Sequence, residues 1–262
     1  MSKTQAGIQS VEVGFALLNA LADARAPMML RDLAAQAGMS AAKAHRYLVS
    51  YQRLGLVVQD ALNTRYDLGP AALKLGLASL ERIDGVHLAR SRMDDWMAHI
   101  NQTLAIAVWG NHGPTIVHWQ ESPQAVTVNL RLGDVMPLLT SATGRCFAAY
   151  ANPVAIAPMV KAELAVLAKA PRGDAPTTMV AVQALLKQTR DKGLGRVSDT
   201  LLPGIAGFCA PVFDASGHMV LGLVSLGSTA SFNATWDGTI AKALRAAAAQ
   251  LSLDLGARVV AA

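Results

Sequence analysis

Apolar residues recur at helical spacing along the first part of the chain, and the breaks in that recurrence define short helices. Over residues 11–22 (VEVGFALLNALA), Val11, Phe15, Leu18, Leu21 and Ala22 fall on one side of a helix. Pro27 interrupts the pattern, and residues 30–37 (LRDLAAQA) restart it. Gly38 follows, where a helix end needs a residue that tolerates positive φ. Ser40 then stands where a side-chain oxygen can cap a third helix over 41–54, with Ala44, Tyr47, Leu48 and Tyr51 facing inward. Gly55 ends it. Two short extended runs follow, 56–60 and 65–68, joined by the turn Ala61-Leu62-Asn63-Thr64, which predicts a hairpin. Residues 70–100 are helical in pattern, broken near Asp84-Gly85.

The remainder alternates between the two periods. Strands are predicted at 104–109, 115–119, 125–131, 194–198, 207–213 and 219–226, with Ser216-Gly217 turning between the last two. Helices are predicted at 143–150, after Pro153, at 180–192 and at 235–255. The expected organisation is two-domain: a mainly α winged helix-turn-helix over 1–69, a linker helix over 70–84, and an α+β domain over 85–262.

The hairpin decides between two readings of residues 30–54. A small residue, Ala34, sits where two helices cross closely, and Gly38 follows four residues later at the turn. Leu33, Ala37, Met39, Ala44 and Tyr47 pin the second helix against the first. An ordinary helical hairpin has the same spacing. A recognition helix followed directly by a wing does not arise from that bland alternative, and points to double-stranded DNA. The N-terminal part of such a helix enters the major groove, which nominates Ser40, Ala41, Ala42, Lys43, His45 and Arg46. Lys43 and Arg46 are three apart and share a face. Arg46 matches guanine O6 and N7, or else a phosphate. His45 donates to a base or phosphate, or packs beside Tyr51. Ala41 and Ala42 touch thymine methyls or simply allow close approach. Arg65 on the wing and Arg31 near the second helix's start are phosphate contacts or solvated charges.

Composition adds limits. The 262 residues are 52% hydrophobic and 16% charged, which supports a real core. The net charge is +5, and eight Lys/Arg against five acids within residues 1–75 place three of those five charges in that stretch. The two cysteines, Cys146 and Cys209, form no C-x-x-C pattern, so neither a zinc site nor a disulfide framework is expected. No cofactor is expected. The first residues do not read as a signal peptide, and no apolar run is long enough for a membrane span, so a cytoplasmic protein is expected. Nucleophile-elbow, P-loop, H-E-x-x-H and dinucleotide glycine motifs do not occur, so an enzyme is not expected.

With these segments in hand, residues 8–255 resemble an IclR-type (isocitrate-lyase-regulator) transcription factor. The ordered motifs are SVEVGFALLNALA, LRDLAAQAGMSAAKAHRYLVSYQRLGLV, RYDLGPAALKLG, RLGDVMPLLTSATGRCFAAY, RDKGLG and PGIAGFCAPVFDASGHMVLGLVSLG. The resemblance implies a GAF-like C-terminal sensor with an antiparallel sheet, a small organic effector, and self-association as a dimer or dimer of dimers.

A sensor of that kind holds its ligand between apolar walls and a few fixed polar groups. One expected edge is the helix start Ser141, Ala142, Thr143, Gly144 and Arg145, where free N–H groups suit a carboxylate; plain helix capping is the alternative. Arg145 stands where the family commonly has lysine, and either pairs with the anion or is structural. The second expected edge is Gly204, Ile205, Gly207 and Cys209. Aligned on PG and PVFD, the family's frequent cysteine falls on Gly207, and Cys209 comes two places later. Of the acidic residues usual before the PG, only Asp199 remains. Val224 and Leu226 replace polar side chains of some relatives, with Ser225 on the other face by alternation. An apolar pocket for a larger, even aromatic, carboxylate is thereby implied. Trp109 and Trp119 either line it or serve as core or interface.

Overall fold

The computed structural model of the protein describes residues 7–24, 26–80, 84–123 and 130–258. It divides into two compact units, Met1–Ile83 and Asp84–Ala262.

In the first unit, α1 (Gln9–Asp23), α2 (Leu30–Gln36) and α3 (Ala41–Arg53) precede the antiparallel pair β1 (Val57–Gln59) and β2 (Tyr66–Leu68), and α4 (Pro70–Leu80) follows. Leu17, Leu21, Leu33, Ala34, Ala44, Leu48, Val57 and Tyr66 form one buried cluster. Gly38 takes φ +66 between α2 and α3, and the Met39 N–H donates to the Ala34 carbonyl at 2.9 Å. Ser40 caps α3 by accepting from the Lys43 N–H at 3.4 Å. The inward face of α1 differs from the expected one. Gly14, Leu17, Ala20 and Leu21 are buried, whereas Val11 and Phe15 are exposed. Close approach sets this rotation: a Cβ on Gly14 would lie 2.3 Å from the Tyr51 hydroxyl and 2.8 Å from Tyr47. Only glycine admits the two tyrosines there, and a hydrophobic count gives glycine no weight.

The second unit opens with α5 (Gly85–Arg90) and α6 (Met93–Ile100). Among the described residues five strands form one antiparallel sheet in the order β4-β3-β7-β6-β5. These are β3 (Thr103–Gly110), β4 (Gly113–Gln120), β5 (Gly195–Ser198), β6 (Ile205–Phe213) and β7 (Met219–Ser228). Alternation along the strands sorts the side chains. Leu104, Ile106, Phe208, Leu221 and Leu223 pack with Leu244 and Leu251 of α10 (Thr239–Asp254). Ala105, Ala107, Cys209, Val224 and Leu226 pack with Cys146 and Phe147 of α7 (Ala142–Tyr150). A further cluster joins Ala148 of α7 to α8 (Pro153–Lys169) and α9 (Met179–Lys192) through Ile156, Val160, Leu167 and Val182. The strand expected at 125–131 falls largely outside the described residues; its last two, Leu130 and Arg131, are irregular. Among the described residues no helix is long and apolar enough to cross a membrane.

Candidate DNA-reading surface and effector pocket

Two buried residues one turn apart, Ala44 and Leu48, fix the inward face of α3. That leaves Ser40, Ala41, Ala42, Lys43, His45 and Arg46 exposed together on the first turns. Neither Lys43 nor Arg46 makes an ion pair among the described residues. Their charges therefore face solvent unspent. The other two expected DNA contacts are partly engaged. Arg31 lies 3.5 Å from the Asp32 carboxylate. Arg65 donates from Nη1 to the Pro27 carbonyl at 3.0 Å, tying the root of the wing to the segment before α2.

In the second unit, a cavity of about 40 Å³ lies where the start of α7 meets β6 and β7. Ser141, Ala142, Thr143, Ile205, Gly207, Val224 and Leu226 line it, together with Leu130, Met136, Val197, Leu201, Leu202 and Ala206. The second group was not expected from sequence. Val197 and Ala206 belong to β5 and β6, but Leu130, Met136, Leu201 and Leu202 come from irregular segments, where no periodicity marks an inward face. The cavity holds a few waters at most and is far below the several hundred Å³ of an organic-ligand pocket. Its polar edge is the α7 N-terminus. The Ser141 hydroxyl accepts from the Gly144 N–H at 2.8 Å and donates to the Pro137 carbonyl at 2.7 Å. The first N–H groups of α7, on Ala142 and Thr143, have no acceptor within the helix.

Other expected residues stand elsewhere. Arg145 is not available to an effector: it is buried, and its guanidinium is spent inside the protein. Nε donates to the Leu139 carbonyl at 2.8 Å, Nη1 to the Arg196 carbonyl at 2.6 Å, and both Nη groups to Asp174 at 3.1 and 2.7 Å. Burial would raise the Asp174 pKa, but Arg145, the Thr200 hydroxyl and Arg196 outweigh it and hold the carboxyl below its ordinary value. Gly144 serves packing rather than a ligand, because its Cβ would fall 1.9 Å from the Pro137 carbonyl oxygen. Gly204 turns the chain at φ +75, and its N–H is taken by Asp199 at 2.7 Å. Cys209 lies past the cavity in the sealed layer between α7 and the sheet, against Cys146, and burial pushes its thiol pKa up. Trp109 packs on Phe147 with ring centroids 6.0 Å apart and is 42% exposed. Trp119 is half-buried against the cluster containing Val224 and Leu226 but does not reach the cavity.

The polypeptide stretch ahead of α7 is held from outside by Glu163, which accepts from the Leu138 and Leu139 N–H groups at 2.6 and 2.9 Å. Burial raises the Glu163 pKa against the lowering effect of these two bonds. A larger groove of about 780 Å³ lies between the end of β6, the hairpin after it and α10. None of the expected effector residues lines it. Its wall is apolar (Ala210, Pro211, Phe213, Ala248 and Leu253), and the Arg245 guanidinium beside it already donates to the Lys192 and Trp236 carbonyls. The smaller cavity is the better effector candidate, because free helix N–H groups meet apolar walls there.

Comparison with known proteins agrees with this architecture. The IclR helix-turn-helix domain matches residues 10–61, and the C-terminal domain of IclR bacterial transcriptional regulators matches residues 77–253. The glycerol operon regulatory protein of Streptomyces griseus is 31% identical over 258 residues, covering 95% of this chain and 97% of that protein. The crystal structure of Pseudomonas aeruginosa HmgR superposes with a TM-score of 0.87 at 36% identity, over 97% of this chain and 100% of that one. An IclR homologue from Microbacterium hydrocarbonoxydans, solved with 4-hydroxybenzoate, shares the fold at 18% identity and a TM-score of 0.54, over 94% and 98% of the two chains. With a winged helix-turn-helix ahead of a GAF-like antiparallel domain, both matched in order, the chain belongs to the IclR family of bacterial transcriptional regulators.

Proposed function

We propose that this regulator acts in the cytoplasm as a dimer whose affinity for operator DNA is set by a small organic carboxylate bound beneath the start of α7. The observation that carries the effector reading is the cavity itself: free N–H groups of Ala142 and Thr143 at one end, Val224 and Leu226 at the other. A carboxylate meets the helix N-terminus, and its apolar body lies on the two strands. The cavity is too small for an organic acid as it stands, so ligand entry requires the walls at Met136, Leu201 and Ile205 to move apart. That opening reduces apparent affinity by the fraction of molecules already open. It also couples the site to the rest of the domain, since a ligand shifts an equilibrium only by its differential affinity for two states. The relative solved with 4-hydroxybenzoate makes that acid a reasonable first probe.

The test is calorimetric titration of 4-hydroxybenzoate and related aromatic acids into the full-length protein, with and without operator duplex. Coupling of about 1–3 kcal/mol changes ligand affinity about 5- to 150-fold between the two titrations. Equal affinities would remove the coupling. Ile205→Trp, which fills the cavity from its half-buried rim, should abolish ligand binding and leave ligand-free DNA binding intact. Undiminished ligand affinity in that variant would place the effector elsewhere.

For the DNA surface, Arg46→Ala should weaken operator binding about ten- to a hundredfold and relax preference at one base pair. Lys43→Ala should weaken all sequences alike and reduce the salt slope by about one. Two variants that both bind like wild type would displace the recognition helix from α3.

A further inference from the structure

The wing ends in a feature the DNA-reading assignment does not use. Leu62 is 97% exposed, more than any other large apolar residue among those described. An exposed leucine on a loose loop would mean little, but this loop is held at almost every backbone position. Asp60 accepts from the Leu62 N–H at 2.7 Å, from the Asn63 N–H at 3.4 Å and from the Asn63 side chain at 2.7 Å. Asn63 Oδ1 accepts from the Arg65 N–H at 2.9 Å, and Gln59 donates to the Thr64 carbonyl at 3.0 Å. Thr64 sits at φ +59, which closes the loop tightly. Backbone bonds between Asp60 and Arg65 and between Thr64 and Asp60, both 2.9 Å, complete it. The side chain that this rigid loop presents is the leucine.

The wing is also one body with α3. Val57 and Tyr66 at its root share a buried cluster with Ala44 and Leu48, so whatever α3 docks against, the tip is carried to a fixed place beside it. The chemistry of the tip is unlike a phosphate contact. There is no Lys or Arg between Arg53 and Arg65, and Arg65 is tied down at the wing root. The Asp60 charge is spread over the N–H groups it accepts.

We infer that Leu62 is an apolar wedge for the minor groove of the operator, entering at the floor next to the major-groove segment filled by α3. This rests on the DNA-reading assignment of α3 above. Aliphatic side chains pressed between base steps unstack them and bend the duplex. The cost depends on the step being deformed, and pyrimidine–purine steps yield most easily. A wedge therefore gives sequence preference at a position with no hydrogen bond to a base.

The experiment uses full-length protein and a duplex that the wild type itself selects from a random-sequence pool. Leu62→Ala should bind that duplex about tenfold more weakly, a partial loss of one leucine's buried surface. Its salt slope should stay that of wild type, because no counterion is released by an apolar contact. The bend, read by fluorescence energy transfer between the duplex ends, should fall. Leu62→Met should restore affinity and bend, and Leu62→Lys should bind with a slope steeper by about one. Folding is not at issue, since the side chain touches nothing that holds the wing. Wild-type affinity and bend in Leu62→Ala would overturn the wedge. So would a loss of affinity that tracks a fall in oligomer mass by sedimentation, which would make Leu62 a protein–protein contact. A wild type that selects no duplex would overturn the α3 assignment itself, and the wedge with it.

Discussion

Asp174→Ala is expected to destabilise the sensor unit by about 3–5 kcal/mol, because it leaves the buried Arg145 guanidinium without its counter-charge. The two partners are unequal. Arg145 is 1% exposed at its side chain and Asp174 is 48% exposed. Losing the arginine strands a carboxylate that water can reach, whereas losing the aspartate strands a cation that water cannot. Arg145→Met should therefore cost less in electrostatics, though it orphans the Leu139 and Arg196 carbonyls. The double variant should be less destabilised than the sum of the singles. The pH dependence has a definite sign. The folded pKa of Asp174 lies below its ordinary value of 3.8, so its contribution is complete above that value and disappears as pH falls through the folded pKa. Urea titrations of wild type and Asp174→Asn should differ at neutral pH and converge in strong acid. Curves that remain parallel there would show that the ion pair contributes nothing.

Loss of the α4 surface should have the largest effect on DNA binding. Leu73 and Leu77 lie one turn apart on α4 and are 64% and 50% exposed; Leu75 is as exposed as Leu73. Ile8, just ahead of α1, and Val11 and Phe15 on it leave a second apolar stripe uncovered. Apolar stripes of this kind in a small helical unit mark a place for another subunit. Leu73→Glu combined with Leu77→Glu is expected to give a monomer in sedimentation, with operator affinity reduced about a hundredfold or more as the avidity of paired modules is lost. A monomeric variant at full affinity, or an unchanged dimer, would refute the role of α4.

How far the residues themselves foretold this arrangement depends on where each feature sits. Regular elements were legible because burial imposes a period: α3, β6, β7 and the alternation that puts Val224 and Leu226 on one face followed from spacing. The inward face of α1 did not, since Gly14 contributes contact by having no side chain. The α7 N-terminus was legible as a cap, and Ser141 is one. Arg145 showed only that a cation stood at that point. Its counter-ion comes from Asp174, 29 residues away on an irregular segment, and no local pattern connects them. Leu130, Met136, Leu201 and Leu202 escaped notice for the same reason. Contacts between loops and strands distant in sequence are a property of the fold, and a single chain read along its length does not display them.

The sealed layer between α7 and the sheet gives this regulator a gauge of its own opening. Its two cysteines, Cys146 and Cys209, are both there and both shut off from solvent. A thiol reagent reaches neither while α7 lies on the sheet. The ratio of labelling rates in the native and denatured chain therefore measures the free energy of lifting that helix, without introducing a probe. Because the proposed effector cavity lies at the start of the same helix, about one turn from Cys146, a ligand that holds α7 down should slow the reaction, and one that wedges it up should quicken it. The direction of that change would tell which of the two states the ligand selects.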